Sequence, residues 1–211
     1  MECNINLENF NLLNRSLFIH NEIDNTTADT FNKDVNKLIL EDNIIFNNNL
    51  ENIKQLFNNV DFTDVLNINN RNVFPEVNIY LNTPGGICYL GLSICDSIKQ
   101  LNKHCKVNII ATGHCMSMGI PILLSVPLEQ RKCTENTSFM IHQVTSFLYD
   151  KVAGLEENLK ESKRLNEIMF NMILENTNIT EKQLKENYNK KSDWFITAQE
   201  ALKLKLVSEI I

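Results

Sequence analysis

The sequence has no long apolar run. Stretches such as Pro121 to Leu124 fall far short of the roughly 20 residues that a membrane-crossing helix needs, and the start, Met1-Glu2-Cys3-Asn4, is too polar for a secretory leader. The expectation is a soluble, unexported protein of a cytosol-like compartment, or of an organelle matrix or stroma if a transit peptide has been removed. Positive charge is not in excess either: 20 basic against 26 acidic residues leave a net charge of -6, which offers no electrostatic footprint for a phosphate backbone and argues against nucleic acid. Cys-x-x-Cys pairs are missing. The six cysteines (Cys3, Cys88, Cys95, Cys105, Cys115, Cys133) stand singly in a chain of 211 residues, long enough for one sizeable core, and are read as reduced thiols rather than as a disulfide framework. His104-Cys105 and His114-Cys115 contain zinc-ligand residue types without structural-zinc spacing, so no metal and no cofactor is expected. There is also no Gly-x-x-x-x-Gly-Lys-[Ser/Thr] loop, which assigns any ATP consumption to another chain.

What is there reads as strand-turn-helix units. Ser16 to His20 is a first strand, and Thr26-x-x-Asp29 resembles a capping box opening a helix with Ala28, Phe31, Val35, Leu38 and Ile39 on one face. An Asn-rich insertion over about 43–75 keeps Leu50, Ile53, Phe57 and Val60 near helical spacing and is read as partly helical. The strand Val77 to Leu81 leads through Thr83-Pro84-Gly85-Gly86 to a helix with Leu90, Ile94, Ile98 and Leu101. The strand Val107 to Ala111 then runs through Gly113-His114-Cys115-Met116 to a helix near Ser117, with Pro121 in its first turn. Ser138 to Ile141 is a further strand, and Leu155, Leu159, Leu165, Ile168, Met169 and Met172 mark a long helix. A short helix from Thr180, a helix opened by the capping box Thr197-x-x-Glu200, and a strand Leu206 to Ile211 close the chain. Successive units of this kind imply an α/β domain.

Acyl-transfer chemistry needs a nucleophile, a base, a group that orients the base, and N–H donors where the oxyanion forms. Ser117 stands at a strand-to-helix transition, although taken alone a serine there is an ordinary helix cap. Its flank, Cys115-Met116-Ser117-Met118-Gly119, lacks the first glycine of a Gly-x-Ser-x-Gly elbow and disfavours an α/β-hydrolase. Gly85-Gly86 can bring backbone N–H groups close to a carbonyl, though a tight turn has the same composition. His142 ends an apolar strand and is either a core histidine or a base, and Asp193 precedes Trp194-Phe195 as a loop carboxylate, a cap or a partner for histidine. His114 is a rival base but lies only three residues before Ser117.

The order of these features is more specific than any one of them. From about Leu13 to Ile211 the chain resembles the proteolytic subunit of the Clp (caseinolytic) protease family, related in fold to the crotonases. The resemblance is carried by Ile79 to Gly86, Gly113 to Gly119, Phe139-Met140-Ile141-His142-Gln143 and Asp193 to Ala201. It implies a single domain over 1–211 with an α/β, crotonase-like spiral of strand-turn-helix units. A head would comprise 13–143 and 177–211, and a helical handle 144–176. By position it implies Ser117 as nucleophile, His142 as general base, Asp193 as the orienting carboxylate, and the backbone N–H groups of Gly86 and Met118 as the oxyanion hole. The activity implied is serine endopeptidase action on unfolded polypeptides delivered by an AAA+ unfoldase ATPase. Self-association into seven-membered rings, usually two stacked face to face, goes with it.

Departures from the family pattern are equally specific. Only about a dozen residues precede Leu13, so axial-pore loops are expected to be short or absent. After His142-Gln143 the family's proline and glycine-rich strand are replaced by Val144-Thr145-Ser146-Phe147-Leu148-Tyr149, which touches substrate docking and ring pairing. The insertion over about 43–75 has no usual counterpart. Two alternatives follow: a non-catalytic structural ring subunit of a Clp-type complex, and an acyl-CoA-handling enzyme on the same fold.

Overall fold

Alternation of side chains sets the first layer. In β1 (Ser16–His20) Leu17 and Ile19 are buried while Phe18 and His20 face outward. In β2 (Val77–Thr83) every second residue is buried, from Val77 to Thr83. The two strands run parallel, Leu17 beside Ile79 and Ile19 beside Leu81. The computed structural model describes residues 15–56, 74–145, 151–190 and 193–211. Cys3, the predicted helical residues Phe57 and Val60, and Ser146 to Tyr149 lie outside them.

Between β1 and β2 runs α1 (Asn25–Leu56), with Ala28, Phe31, Val35 and Leu38 turned into the core. Its start differs from the expected Thr26 capping box: Asp24 Oδ1 accepts the Thr27 N–H at 2.8 Å, and the Thr27 hydroxyl donates back to the Glu22 carbonyl. An aspartate one residue before the first turn offers the free N–H groups a charged acceptor, which a threonine cannot match. The helix continues unbroken through 43–56, so the first part of the Asn-rich stretch extends the first helix. Asp42, on this helix, accepts from Arg15 Nη1 at 2.7 Å and lies 2.9 Å from His104 Nε2, tying the head of β1 to the end of the next helix.

That helix, α2 (Cys88–His104), buries Ile94, Cys95, Ile98 and Leu101. It leads to β3 (Val107–Met116), whose residues 107–111 are all buried, as in a central parallel strand covered on both faces. β3 is longer than the expected Val107 to Ala111. A bulge carries it past Gly113: the pairing with β2 jumps from Leu81–Ala111 to Thr83–Cys115, and Asn82 Oδ1 accepts the His114 N–H across the gap.

The bulge lets one strand serve two partners. Its first half pairs with β4 (Arg131–Cys133) and its second half with β5 (Ser138–Ile141), both parallel. The turn between them is pinned by the Thr134 N–H and the Thr137 hydroxyl, which both donate to the Ala111 carbonyl. Between β3 and β4 lies α3 (Gly119–Leu123), fully buried. After β5 come α4 (Val152–Asn176), α5 (Glu181–Lys190), β6 (Trp194–Thr197), α6 (Ala198–Lys203) and β7 (Glu209–Ile210). α4 turns Leu165, Met169 and Ile173 inward, whereas Leu159, expected on the same apolar face, is exposed. The capping box at Thr197 and Glu200 is formed reciprocally. The last strand is confined to Glu209–Ile210 instead of Leu206 to Ile211, because Leu206 and Val207 are buried in the core before the chain reaches β4.

Among the described residues the sheet order is β1-β2-β3-β4-β7, with β5 leaving β3 and β6 antiparallel on β5. No described helix is long and apolar enough to cross a membrane. Helices on the sheet with parallel strands between them make this the α/β, crotonase-like fold.

Candidate active site

Strand register brings three chemically active side chains together. β3 and β5 pair through Met116–Met140, so Ser117 follows the last rung on one strand while His142 lies two residues beyond Met140 on the other. β5 and β6 pair through Ile141–Trp194, so His142 and Asp193 are the next residues outward from that rung. Ser117, His142 and Asp193 are thus set at neighbouring strand ends rather than by long loops. His142 Nε2 lies 2.7 Å from Ser117 Oγ, and His142 Nδ1 lies 3.6 Å from Asp193 Oδ1. The first distance is a hydrogen bond; the second is an ion-pair separation beyond hydrogen-bond range. His142 is half-buried, and the Asp193 side chain is 51% exposed.

Ser117 is held in an uncommon backbone conformation, φ +52°. Such a left-handed serine costs roughly 1–3 kcal/mol and persists only where its surroundings fix it. Here the Ser117 N–H donates to the Met140 carbonyl at 2.9 Å, and the Ser117 carbonyl accepts from Ile120 N–H as α3 begins. The sharp turn presents Oγ at the end of the sheet.

Against it lies the turn after β2. The Thr83 hydroxyl donates to the Asn21 carbonyl and accepts the Gly85 N–H, fixing the turn from inside the core. Gly85 has φ +99°, and a Cβ there would stand 2.5 Å from Ser117 Cβ and 2.9 Å from Met118 N. Gly86, φ +151°, would carry its Cβ into the Ile23 backbone at 2.4 Å. Both positions therefore need glycine for space as well as for conformation. Ile23 bonds the Gly85 carbonyl and the Ile87 N–H, which turns the Gly86 N–H to the side away from Ile23. Met118 is the residue before α3, where a helix N–H has no intrahelical acceptor.

A cavity of about 60 Å³ opens beside Ser117 and His142, walled by Ile120, Pro121, Met169, Ile173, Cys88 and Tyr188. Burial pushes the Cys88 thiol up, and it pushes the Tyr188 phenol up to about 12, so both stay neutral near pH 7. Gln143 also lines this cavity and donates to the Tyr188 carbonyl at 3.2 Å. His114 is held through its backbone by Asn82, and it is His142 that meets the Ser117 hydroxyl. Among the described residues no group of three His, Cys, Asp or Glu side chains could hold a metal ion. Sequence reasoning missed Asn82, Cys88 and Tyr188. Only the cavity reveals the last two, since a tyrosine four residues after Leu184 on a helix looks like ordinary core.

Comparisons with known proteins agree with this architecture. The family model described as Clp protease matches residues 26–211. The chain is 28% identical over 179 residues to an ATP-dependent Clp protease proteolytic subunit of Deinococcus radiodurans, covering 84% of each chain. It is 31% identical over 136 residues to an ATP-dependent Clp protease proteolytic subunit 3 of Rhizobium etli, 64% of this chain and 68% of that one. Among solved structures, a ClpP1 mutant from Listeria monocytogenes shares the fold with a TM-score of 0.71 at 24% identity, over 98% of this chain and 96% of that chain.

Proposed function

We propose, from the premise that this chain belongs to the Clp protease family and is a serine protease subunit of a Clp complex, that it cleaves peptide bonds through Ser117, His142 and Asp193. The observation that carries this reading is the 2.7 Å contact between His142 Nε2 and the oxygen of a serine in a left-handed turn. In the proposed cycle His142 holds its proton on Nδ1, toward Asp193, and leaves Nε2 free to accept the hydroxyl proton of Ser117. Oγ attacks the scissile carbonyl, and the Gly86 and Met118 N–H groups receive the oxyanion. Removing one such donor costs about 2.7–4 kcal/mol in related chemistry. The imidazolium gives its proton to the leaving amine, and a water deprotonated by the same histidine releases the acyl group. No cofactor enters any step.

The substrates proposed are unfolded polypeptides, supplied by an AAA+ unfoldase ATPase in a cytosol-like compartment, and specificity rests largely on access to a chamber. The chamber would be built from seven-membered rings, with the head (13–143 and 177–211) forming its body. The handle (144–176) would meet a facing ring. Treatment with a serine-reactive fluorophosphonate followed by intact-mass spectrometry tests the chemistry. One adduct is expected on the wild type and none on Ser117→Ala or His142→Ala.

A second reading, a non-catalytic ring subunit, is favoured by the 3.6 Å gap between His142 and a half-exposed Asp193. Intact assemblies that take no adduct would establish it and overturn the first.

A further inference from the structure

His142 is the first residue past the sheet. Ile141 ends β5 on the rung with Trp194, and beyond it residues 142–145 run without regular structure. A base held on one side only is free to swing away from Ser117, and the carboxylate does not hold it, because Asp193 is half-exposed and 3.6 Å from Nδ1. The second hold comes from α4. Asn166 Oδ1 accepts the Val144 N–H at 3.1 Å, within the range of an N–H···O hydrogen bond. Asn166 is itself placed by a fixed stretch of helix, since Leu165 before it and Met169 after it are both buried. Gln143, between His142 and Val144, donates through its side chain to the Tyr188 carbonyl on α5. His142 thus lies on a short span bracketed by the last rung of the sheet and the hydrogen bond to α4.

We infer that Asn166 is a positioning residue for the hydrolytic reaction: by holding the Val144 N–H it keeps the His142 imidazole at the Ser117 hydroxyl. The inference rests on the proposed roles of Ser117 and His142. Reacting groups must be held to within roughly 0.5 Å, which takes support from residues that do not themselves touch the substrate. Val144 is two residues from His142, so releasing its N–H frees the peptide units that carry the imidazole, while the 2.7 Å contact with Ser117 tolerates little movement. The device depends on which residue stands at 144. A proline, which the family pattern has there, carries no N–H and is not held in this way. Valine at 144 and asparagine on the helix beside it therefore make a bond that the family's proline excludes.

The test uses the purified full-length protein, with its assembly verified, a fluorogenic peptide and the fluorophosphonate. Asn166→Ala should lower kcat and the labelling rate by about tenfold each, the factor that one net hydrogen bond supplies, with KM unchanged within about twofold. Asn166→Asp keeps an acceptor oxygen in the same place and should recover most of the lost rate. Val144→Pro removes the donor instead and should cost a similar factor, and adding Asn166→Ala to it should cost little more. Should Asn166→Ala fail to assemble, Asn166→Asp compared with Val144→Pro reads the same bond without emptying the space that the asparagine fills. A role confined to packing would lower the melting midpoint and leave kcat alone, and full additivity of the two losses would equally overturn the inference. A labelled wild type whose rates are unchanged by Asn166→Ala and Val144→Pro overturns the positioning role alone. A wild type that neither labels nor cleaves overturns the hydrolytic reading and the positioning role with it.

Discussion

Replacing Gly85 by alanine is expected to disable the site while leaving the fold standing. The added Cβ would lie 2.5 Å from Ser117 Cβ, 2.9 Å from the Met116 carbonyl and 2.9 Å from Met118 N. Relaxed carbon contacts need about 3.5–4.0 Å, so the turn and the serine must separate by about 1 Å. Two of the three obstructing atoms are backbone and cannot rotate away. Holding an alanine at φ +99° adds roughly 1–3 kcal/mol of strain. The Ser117–His142 contact of 2.7 Å cannot absorb such a shift and remain a hydrogen bond. A misplacement of about 1 Å costs about a hundredfold in rate, or about 2.7 kcal/mol on the barrier. Peptide hydrolysis and the rate of fluorophosphonate labelling should both fall by about that factor, while circular dichroism and assembly size are retained. Gly91→Ala is the matched control. Its Cβ would meet the Met118 side chain, 2.5 Å from Cγ and 2.6 Å from Cε, and a methionine can swing aside. Activity there should stay within about threefold. A folded Gly85→Ala protein as active as the control would refute the idea that the Gly85–Ser117 contact sets the geometry of the nucleophile.

Asp42→Ala removes the acceptor shared by Arg15 and His104, whose side chains are 15% and 10% exposed; a stability loss of about 3 kcal/mol is expected in urea unfolding, and a loss under about 1 kcal/mol would mean that water replaces the pair. Stability should also decline in alkali. Burial raises Cys95 and Cys133 from 9.0 to about 11 and Tyr188 from 10.0 to about 12, so the unfolded chain releases these protons first. Their contribution is full below about pH 9 and is lost as pH rises through about 11–12; a melting midpoint that does not change between pH 8.5 and 11 would contradict this burial.

Legibility in the sequence followed how local the cause was. The capping box at Thr197 and Glu200 needs only two side chains three positions apart in one turn, and it forms as read. The box expected at Thr26 does not form, because Asp24 takes the Thr27 N–H and the helix begins at Asn25, which puts Thr26 inside the first turn. β4 carries Arg131 and Lys132 within three residues, a pattern with no strand periodicity; pairing with β3 creates it. The extension of β3 past Ala111 was hidden by Gly113, which breaks a strand pattern but here makes the bulge. For the site, the order of Ser117, His142 and Asp193 was readable, and the structure does bring these side chains together. The 3.6 Å separation was not, because it depends on where the half-exposed Asp193 side chain lies at the start of β6, which residue order does not encode. Tyr188 was invisible for a different reason: whether a helical tyrosine keeps or lacks a partner depends on what surrounds its tip, which spacing does not encode.

The rung Ile141–Trp194 has a topological consequence. The described elements between those two residues, α4 and α5, form a detour from the sheet before the chain returns to the same rung, as an inserted cassette does. The register that sets His142 opposite Asp193 is fixed by the rung at the base of this detour rather than along its length. The detour nevertheless supplies Met169, Ile173 and Tyr188 to the cavity. The wall of the cavity and the strand register beneath it therefore come from separate stretches of the chain.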